Sequence, residues 1–221
     1  MKNKNKLICI IPGLEKNSYS KKGDLVEWGG TTLLEWKLSQ VFKVENLQEI
    51  YITTPSSKIK SLAASLGVKT IMRSKGQSLN ALYKFIGKKF KNKNILWLNP
   101  TSPFLSEKDI KKFIIKYNKV SNHNDSAFTC IQLNEFLFDK KKSLNFNSLK
   151  GAISRKKLPN LYQSTNGAYI VSSKTMEEVG SLYGKKPFKH KVTWLQSLEV
   201  KSSYELENFK FFMSKYIKQN F

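Results

Sequence analysis

Ile95-Leu-Trp-Leu-Asn-Pro-Thr-Ser-Pro-Phe-Leu-Ser-Glu-Lys-Asp-Ile110 contains, in one short stretch, a strand, a turn and the start of a helix. Residues 95–98 are apolar without interruption, as expected of a central strand in a parallel sheet, where helices cover both faces. The two prolines that follow make a rigid, shaped turn with small hydroxyls toward a cleft. Ser106 and Asp109 form a capping box, and Ile110, Phe113, Ile114 and Tyr117 then recur on one helical face. This strand–turn–helix unit is half of a βαβ repeat.

The same alternation continues on both sides. Residues 7–11 read as a buried first strand, and a long polar loop leads from it to Gly30. A helix opens at the Thr32/Glu35 capping box with Leu34, Leu38 and Val41 on one face. A second strand is expected at 50–53. Next comes a helix capped by Ser57, with Ile59, Leu62, Ala63 and Leu66 inward and Gly67 ending it. Residues 68–72 form a short strand, and Leu79, Leu82, Phe85 and Ile86 mark another helix. Residues 126–133 form a further strand. Toward the end, strands are expected at 167–172 and 193–200, with a short helix at 175–182 between them. A last helix is capped by Ser202 with Glu205 and carries Leu206, Phe209, Met213, Tyr216 and Ile217. Alternating strands and helices predict a three-layer α/β fold with a mostly parallel sheet, of Rossmann-like type. Residues 1–221 read as a single domain. Residues 134–165 break the pattern: they are polar, lysine-rich and weakly periodic, and form either a dimerisation excursion or a mobile lid.

Composition narrows the function. The chain carries 39 basic and 16 acidic residues, a net charge of +23. Only Arg73 and Arg155 are arginines, so the arginine forks that read bases or clamp nucleic-acid backbones are missing, and no specific nucleic-acid partner is expected. The lysine field favours anionic substrates such as nucleotides. The basic opening followed by residues 7–12 is too short in its apolar part for a signal peptide, and no run spans a bilayer, so a soluble, cytoplasmic protein without membrane insertion is expected. Cys9 and Cys130 sit in apolar runs and read as core residues. His123 and His190 have no partners at ligand spacing, which argues against zinc.

In sheets of this kind ligands bind beyond the carboxyl ends of the strands. Three loops fall there: residues 12–30, 99–106 and 162–167. The first carries Pro12, Gly13, Lys16, Lys21 and Lys22 but neither GxxxxGK[ST] nor GxGxxG. The second presents Asn99, Thr101 and Ser102. The third holds Tyr162 and Asn166, with Tyr169 just beyond.

Two of these segments carry a resemblance. WLNPTSPFLSEKDI resembles the LLQPTSPLRTAEDI stretch of the acylneuraminate cytidylyltransferases, the CMP-sialic acid synthetase family. RKKLPNLYQSTNGAYIV resembles that family's RQDLPxxYRxNGAIYI. The order fits along nearly the whole chain: IIP opens the first strand, Gly29-Gly30 leads into the first helix, and Ser181-Leu182-Tyr183-Gly184 is similar to SFFG. The resemblance implies the nucleotide-diphospho-sugar transferase architecture. It also implies transfer of CMP from CTP to an acidic sugar of the nonulosonic or Kdo-like class for surface glycan synthesis, with Mg²⁺ and as a homodimer. It places Pro12, Gly13 and Arg73 at the nucleotide, where Lys16 and Lys22 would stand in for the family's cations. It places Asn99, Thr101, Ser102, Arg155, Tyr162, Asn166 and Tyr183 at the sugar, with Arg155 reaching across the dimer. Lys21 and Glu199 take the catalytic roles, Glu199 also holding the metal.

The sequence departs from the family where charge matters most. Aligned on IPARGGSKGIPxKN, the family's triphosphate Arg falls on Leu14, its loop glycines on Glu15 and Lys16, its two lysines on Ser18 and Gly23, and its Asn on Asp24. The metal-holding IDIDT aligns with Leu198-Glu199-Val200-Lys201-Ser202, so one carboxylate becomes Lys201, which cannot ligate Mg²⁺ while charged. Both arginines nevertheless fall on positions the family uses. Two readings follow: a cytidylyltransferase in which Lys16, Lys21 or Lys22 replace the lost cations, or a catalytically inactive relative that binds nucleotide, sugar or a partner.

Overall fold

The computed structural model describes residues 7–45 and 47–220, with side chains to residue 215. The basic opening, residues 1–6, lies outside them. Six strands of a seven-stranded sheet run in one direction and one runs against them. The order is β5 (Lys69–Met72), β4 (Leu47–Thr54), β1 (Leu7–Pro12), β6 (Asn94–Leu98), β8 (Leu161–Ser172), β7 (Ser126–Leu133) and β9 (Pro187–Lys191). β1 lies parallel between β4 and β6, and β8 is antiparallel to both of its neighbours. β2 (Glu27–Trp28) and β3 (Thr31–Thr32) form a separate small ribbon.

Helices cover both faces, as the uninterrupted apolar strands require. On one face α1 (Leu33–Val41), α2 (Ser57–Ser65) and α4 (Glu107–Val120) pack Leu34, Leu38, Ile59, Ile110 and Phe113 against Cys9, Ile11, Leu96 and Leu98. On the other, α3 (Leu79–Lys89) and α5 (Ser173–Val179) set Leu82, Ile86 and Met176 against Ile8, Ile10, Ile95 and Trp97. A third cluster ties α6 (Ser203–Asn220) to the first loop and the ribbon through Tyr19, Trp28, Leu33, Phe104, Phe209 and Met213. The Thr32/Glu35 and Ser106/Asp109 capping boxes both form. Cys9 and Cys130 are buried free thiols. Tyr216 and Ile217 lie beyond the residues whose side chains are described.

Some expectations are corrected. Ser56, not Ser57, caps α2: its backbone is extended and its hydroxyl accepts from Ile59 N at 3.2 Å. Leu66 and Phe85, expected on inward faces, are exposed. β8 begins at Leu161 rather than at 167. Its first part pairs only with the far half of β7, which leaves it half-buried and gives it polar residues and weak periodicity. No strand forms at 193–200. The final strand is β9, whose Pro-Phe-Lys-His-Lys sequence carries the proline and lysines that blunt a sheet edge. Residues 195–197 instead make one turn of 3₁₀ helix, after which Val200 N donates to Thr101 O at 2.8 Å. His190, on β9, is buried beside the rings of Phe113 and Phe188, and burial lowers its pKa to about 4.

Candidate functional site

A cleft opens where β1 and β6 end, lined by Pro12, Leu14, Asn17, Ser18, Asn99, Thr101, Asn166, Glu199 and Lys201. Each wall has its own support.

The loop after β6, residues 99–106, is held from below by α1. Lys37 is completely buried, and its ammonium donates to Ser102 O at 2.8 Å and Leu105 O at 3.1 Å. Trp36 Nε1 and Gln40 Nε2 both donate to Pro103 O, at 2.9 and 3.1 Å. Burial pulls the Lys37 pKa down to about 7, while the charges of Asp109 and Cys9 act to raise it. Lys37 went unnoticed in the sequence, although its position was a clue: three residues after Leu34 and four before Val41, it lies on the helix face that packs inward.

The loop after β1 closes on itself. Asp24 is buried, accepts from Leu14 N at 2.6 Å and accepts from the Tyr19 hydroxyl. Asp24 N returns a bond to Leu14 O at 2.7 Å. Gly23 has φ +53°, and a Cβ there would lie 2.1 Å from Leu14 O, so the turn requires glycine. Burial raises the Asp24 pKa to about 6 against the Tyr19 and Leu14 hydrogen bonds and the Arg73 charge, which hold it down.

The third wall is a chain of hydrogen bonds. Trp97 Nε1 donates to Asn99 Oδ1 at 3.0 Å, and Asn99 Nδ2 donates to Asn166 O at 2.6 Å and to its Oδ1 at 3.0 Å. Asn166 sits at φ +55°, a left-handed conformation that Asn tolerates better than most residues. Its Oδ1 also accepts from the Tyr169 hydroxyl at 2.9 Å, and its Nδ2 donates to Glu199 Oε1 at 2.5 Å. Glu199 Oε2 faces Lys201 Nζ at 3.4 Å. The Tyr169 and Tyr183 hydroxyls lie 3.2 Å apart, and burial raises the Tyr169 pKa.

The expected residues therefore separate. Pro12, Asn99, Thr101, Asn166 and Glu199 meet in the cleft. Tyr183 joins it through Tyr169. Gly13 is buried at the base of the first loop, where its N–H bonds Thr53 O at 2.9 Å. Lys16 lies in an adjoining recess with Glu15, Ser56 and Lys75, where the Ser56 hydroxyl donates to Glu15 Oε2 at 2.6 Å. Arg73 follows β5 half-buried, near Asp24 and Tyr83, and its buried Nε has no hydrogen-bond partner. Lys21 and Lys22 are exposed and lie outside the cleft lining. Ser102 is fully buried beneath its loop rather than facing the cleft. Tyr162 lies on β8 under the ammonium groups of Lys189 and Lys191. Arg155 is exposed in the excursion, pairs with Glu135 at 3.1 Å and is not among the residues lining the cleft.

The cleft does not fit the magnesium ion that the resemblance implies. Both oxygens of Glu199 are engaged, one by an amide and one by an ammonium. The second cleft acid, Asp24, is committed to Leu14 and Tyr19.

A cytidylyltransferase family model matches residues 22–210, most of the chain, and the protein belongs to that family. A CMP:2-keto-3-deoxy-manno-octonic acid synthetase solved with CTP has the same fold. Its TM-score is 0.71 at 14% identity, over 96% of this chain and 99% of that one. A 4-diphosphocytidyl-2C-methyl-D-erythritol synthase from Anaerococcus prevotii gives a TM-score of 0.65 at 15% identity, over 96% of each chain. A further structure of that type of synthase gives 0.66 at 11%, over 94% of this chain and 98% of that one. At these identities the likeness shows the fold alone. A search of curated proteins found no match. No helix among the described residues is long and apolar enough to cross a membrane.

Proposed function

We propose that this protein binds CTP in the cleft and transfers its cytidylyl group to an acidic sugar of the nonulosonic or Kdo-like class, as a homodimer serving surface glycan synthesis. The observation that carries the proposal is that Asn99 and Thr101, from one of the two segments that resemble CMP-sugar synthetases, and Asn166, from the other, meet in one cleft at the carboxyl ends of the strands. The family match and the lysine-rich surface support a nucleotide as ligand. In the transfer, a sugar hydroxyl oxygen forms a bond to the α-phosphorus and the bond from that phosphorus to the bridging oxygen breaks. Pyrophosphate leaves with the bonding pair, and the hydroxyl proton passes to solvent. Positioning and neutralisation of phosphate charge carry most of the acceleration in such transfers.

A second reading, a relative that binds nucleotide without turnover, is favoured by one observation: the Glu199 carboxylate is paired with Lys201. Pyrophosphate release, assayed with CTP and a panel of acidic sugars, separates the two. Release that depends on one sugar supports transfer. CTP binding without release from any sugar selects the second reading.

A further inference from the structure

We propose that Lys201 is the cleft's resident cation, with its ammonium contacting the phosphates directly, so that nucleotide binds without a divalent metal. This inference rests on the nucleotide reading above and goes beyond it in naming what neutralises the ligand.

Glu199 is the anchor. Its side chain is only 13% exposed, and its Oε1 is fixed by Asn166, which is itself fixed by Asn99 and Tyr169. Oε2 faces the Lys201 ammonium at 3.4 Å. An ammonium has three hydrogens; Glu199 can take one, which leaves two for phosphate oxygens. The Lys201 side chain is 59% exposed, so its outer side is open to a ligand.

The backbone beneath it is held on three sides. Val200 N donates to Thr101 O at 2.8 Å in the loop after β6. The Ser18 hydroxyl of the first loop donates to Lys201 O at 3.1 Å. Lys201 N donates to Glu205 Oε2 at 2.8 Å at the start of α6. Lys201 is thus anchored to both loops that frame the cleft. A metal ion at Oε2 would have to displace this ammonium or sit against its charge.

The charge balance has a consequence. A divalent ion on one carboxylate leaves a net charge of +1, whereas the Lys201–Glu199 pair leaves none. Phosphate binding must then draw on the lysine field of the whole protein, and it weakens steeply with salt.

The test is calorimetric titration of the full chain with CTP, in excess EDTA and again in Mg²⁺, using wild type, Lys201→Met, Lys201→Asp and the surface control Lys174→Met. Equal wild-type affinity in the two buffers is expected. In EDTA, Lys201→Met should bind about 10- to 100-fold more weakly, as for a lost charge-assisted contact, with the control unchanged. Lys201→Asp should bind only once Mg²⁺ is added. The exposed side chain can be replaced without disturbing the core, and a matching thermal midpoint in each variant excludes unfolding. Wild-type affinity that rises more than about tenfold with Mg²⁺ overturns this inference and leaves the nucleotide reading standing. Lys201→Met binding as tightly as wild type in EDTA also overturns it. Absence of CTP binding in both buffers overturns both.

Discussion

The two loops that frame the cleft rest on buried charges of opposite sign, placed differently. The loop after β6 sits on Lys37, which belongs to α1 and donates to two of the loop's carbonyls. The loop after β1 sits on Asp24, which belongs to the loop itself and accepts from the Leu14 amide near its start. Support from a core helix couples the first of these to the stability of the whole domain. Support from within makes the second depend on its own side chain and on the Tyr19–Trp28 cluster packed against α6, so its loss should act more locally. One wall of the cleft is therefore held by a core helix, and the other by a buried residue of its own.

The largest effect should come from Lys37→Ala. It leaves two buried carbonyls without their donor and opens a cavity, so urea unfolding should show a loss of about 3–5 kcal/mol. Lys37→Met, which keeps most of the volume and removes a buried charge, should lose clearly less. A loss in Lys37→Ala below about 1 kcal/mol would mean that α1 does not carry the loop.

Asp24→Ala should act locally. Hydrogen exchange at the Leu14 amide should become fast while the amides of residues 95–98 keep their protection, with a global loss of about 1–2 kcal/mol. Equal loss of protection in β6 would erase the contrast between the loops.

The two anchors also predict opposite pH slopes. Asp24 has a raised pKa, so the folded state binds more protons than the unfolded one between about pH 4 and 6, and stability falls as pH rises through that window. Lys37 has a lowered pKa, so the unfolded state binds more protons from about pH 7 to 10, and stability rises there. Thermal midpoints measured from pH 4 to 10 should lose the acid-side fall in Asp24→Asn and the alkaline rise in Lys37→Met. The smallest effect belongs to Arg155→Ala. Its pair with Glu135 is exposed on both sides, so the monomer should change by less than about 0.5 kcal/mol.

The sequence made most of the sheet legible because β1 and β6 are buried strands and the α1 and α4 helices open with recognisable capping boxes. β9 escaped notice because an edge strand is built to look unlike a strand, with proline and lysine in place of an apolar run. In the site, Asn99, Asn166 and Glu199 could be found from the residues around them. Lys37 and Asp24 were missed as anchors because charged side chains are rarely buried, and composition rules assign them to the surface. Ser102 was misplaced because a turn rich in hydroxyls does not reveal which of them points inward. Arg155 is not among the residues lining the cleft and pairs instead with Glu135 within the excursion.

The most direct measurement is hydrogen exchange of the whole chain with and without CTP. Binding in the cleft predicts added protection in residues 13–18, 99–106, 166–167 and 199–201, with the excursion around residues 140–150 unchanged. Protection confined to the excursion or to α6, or none at saturating CTP, would contradict it.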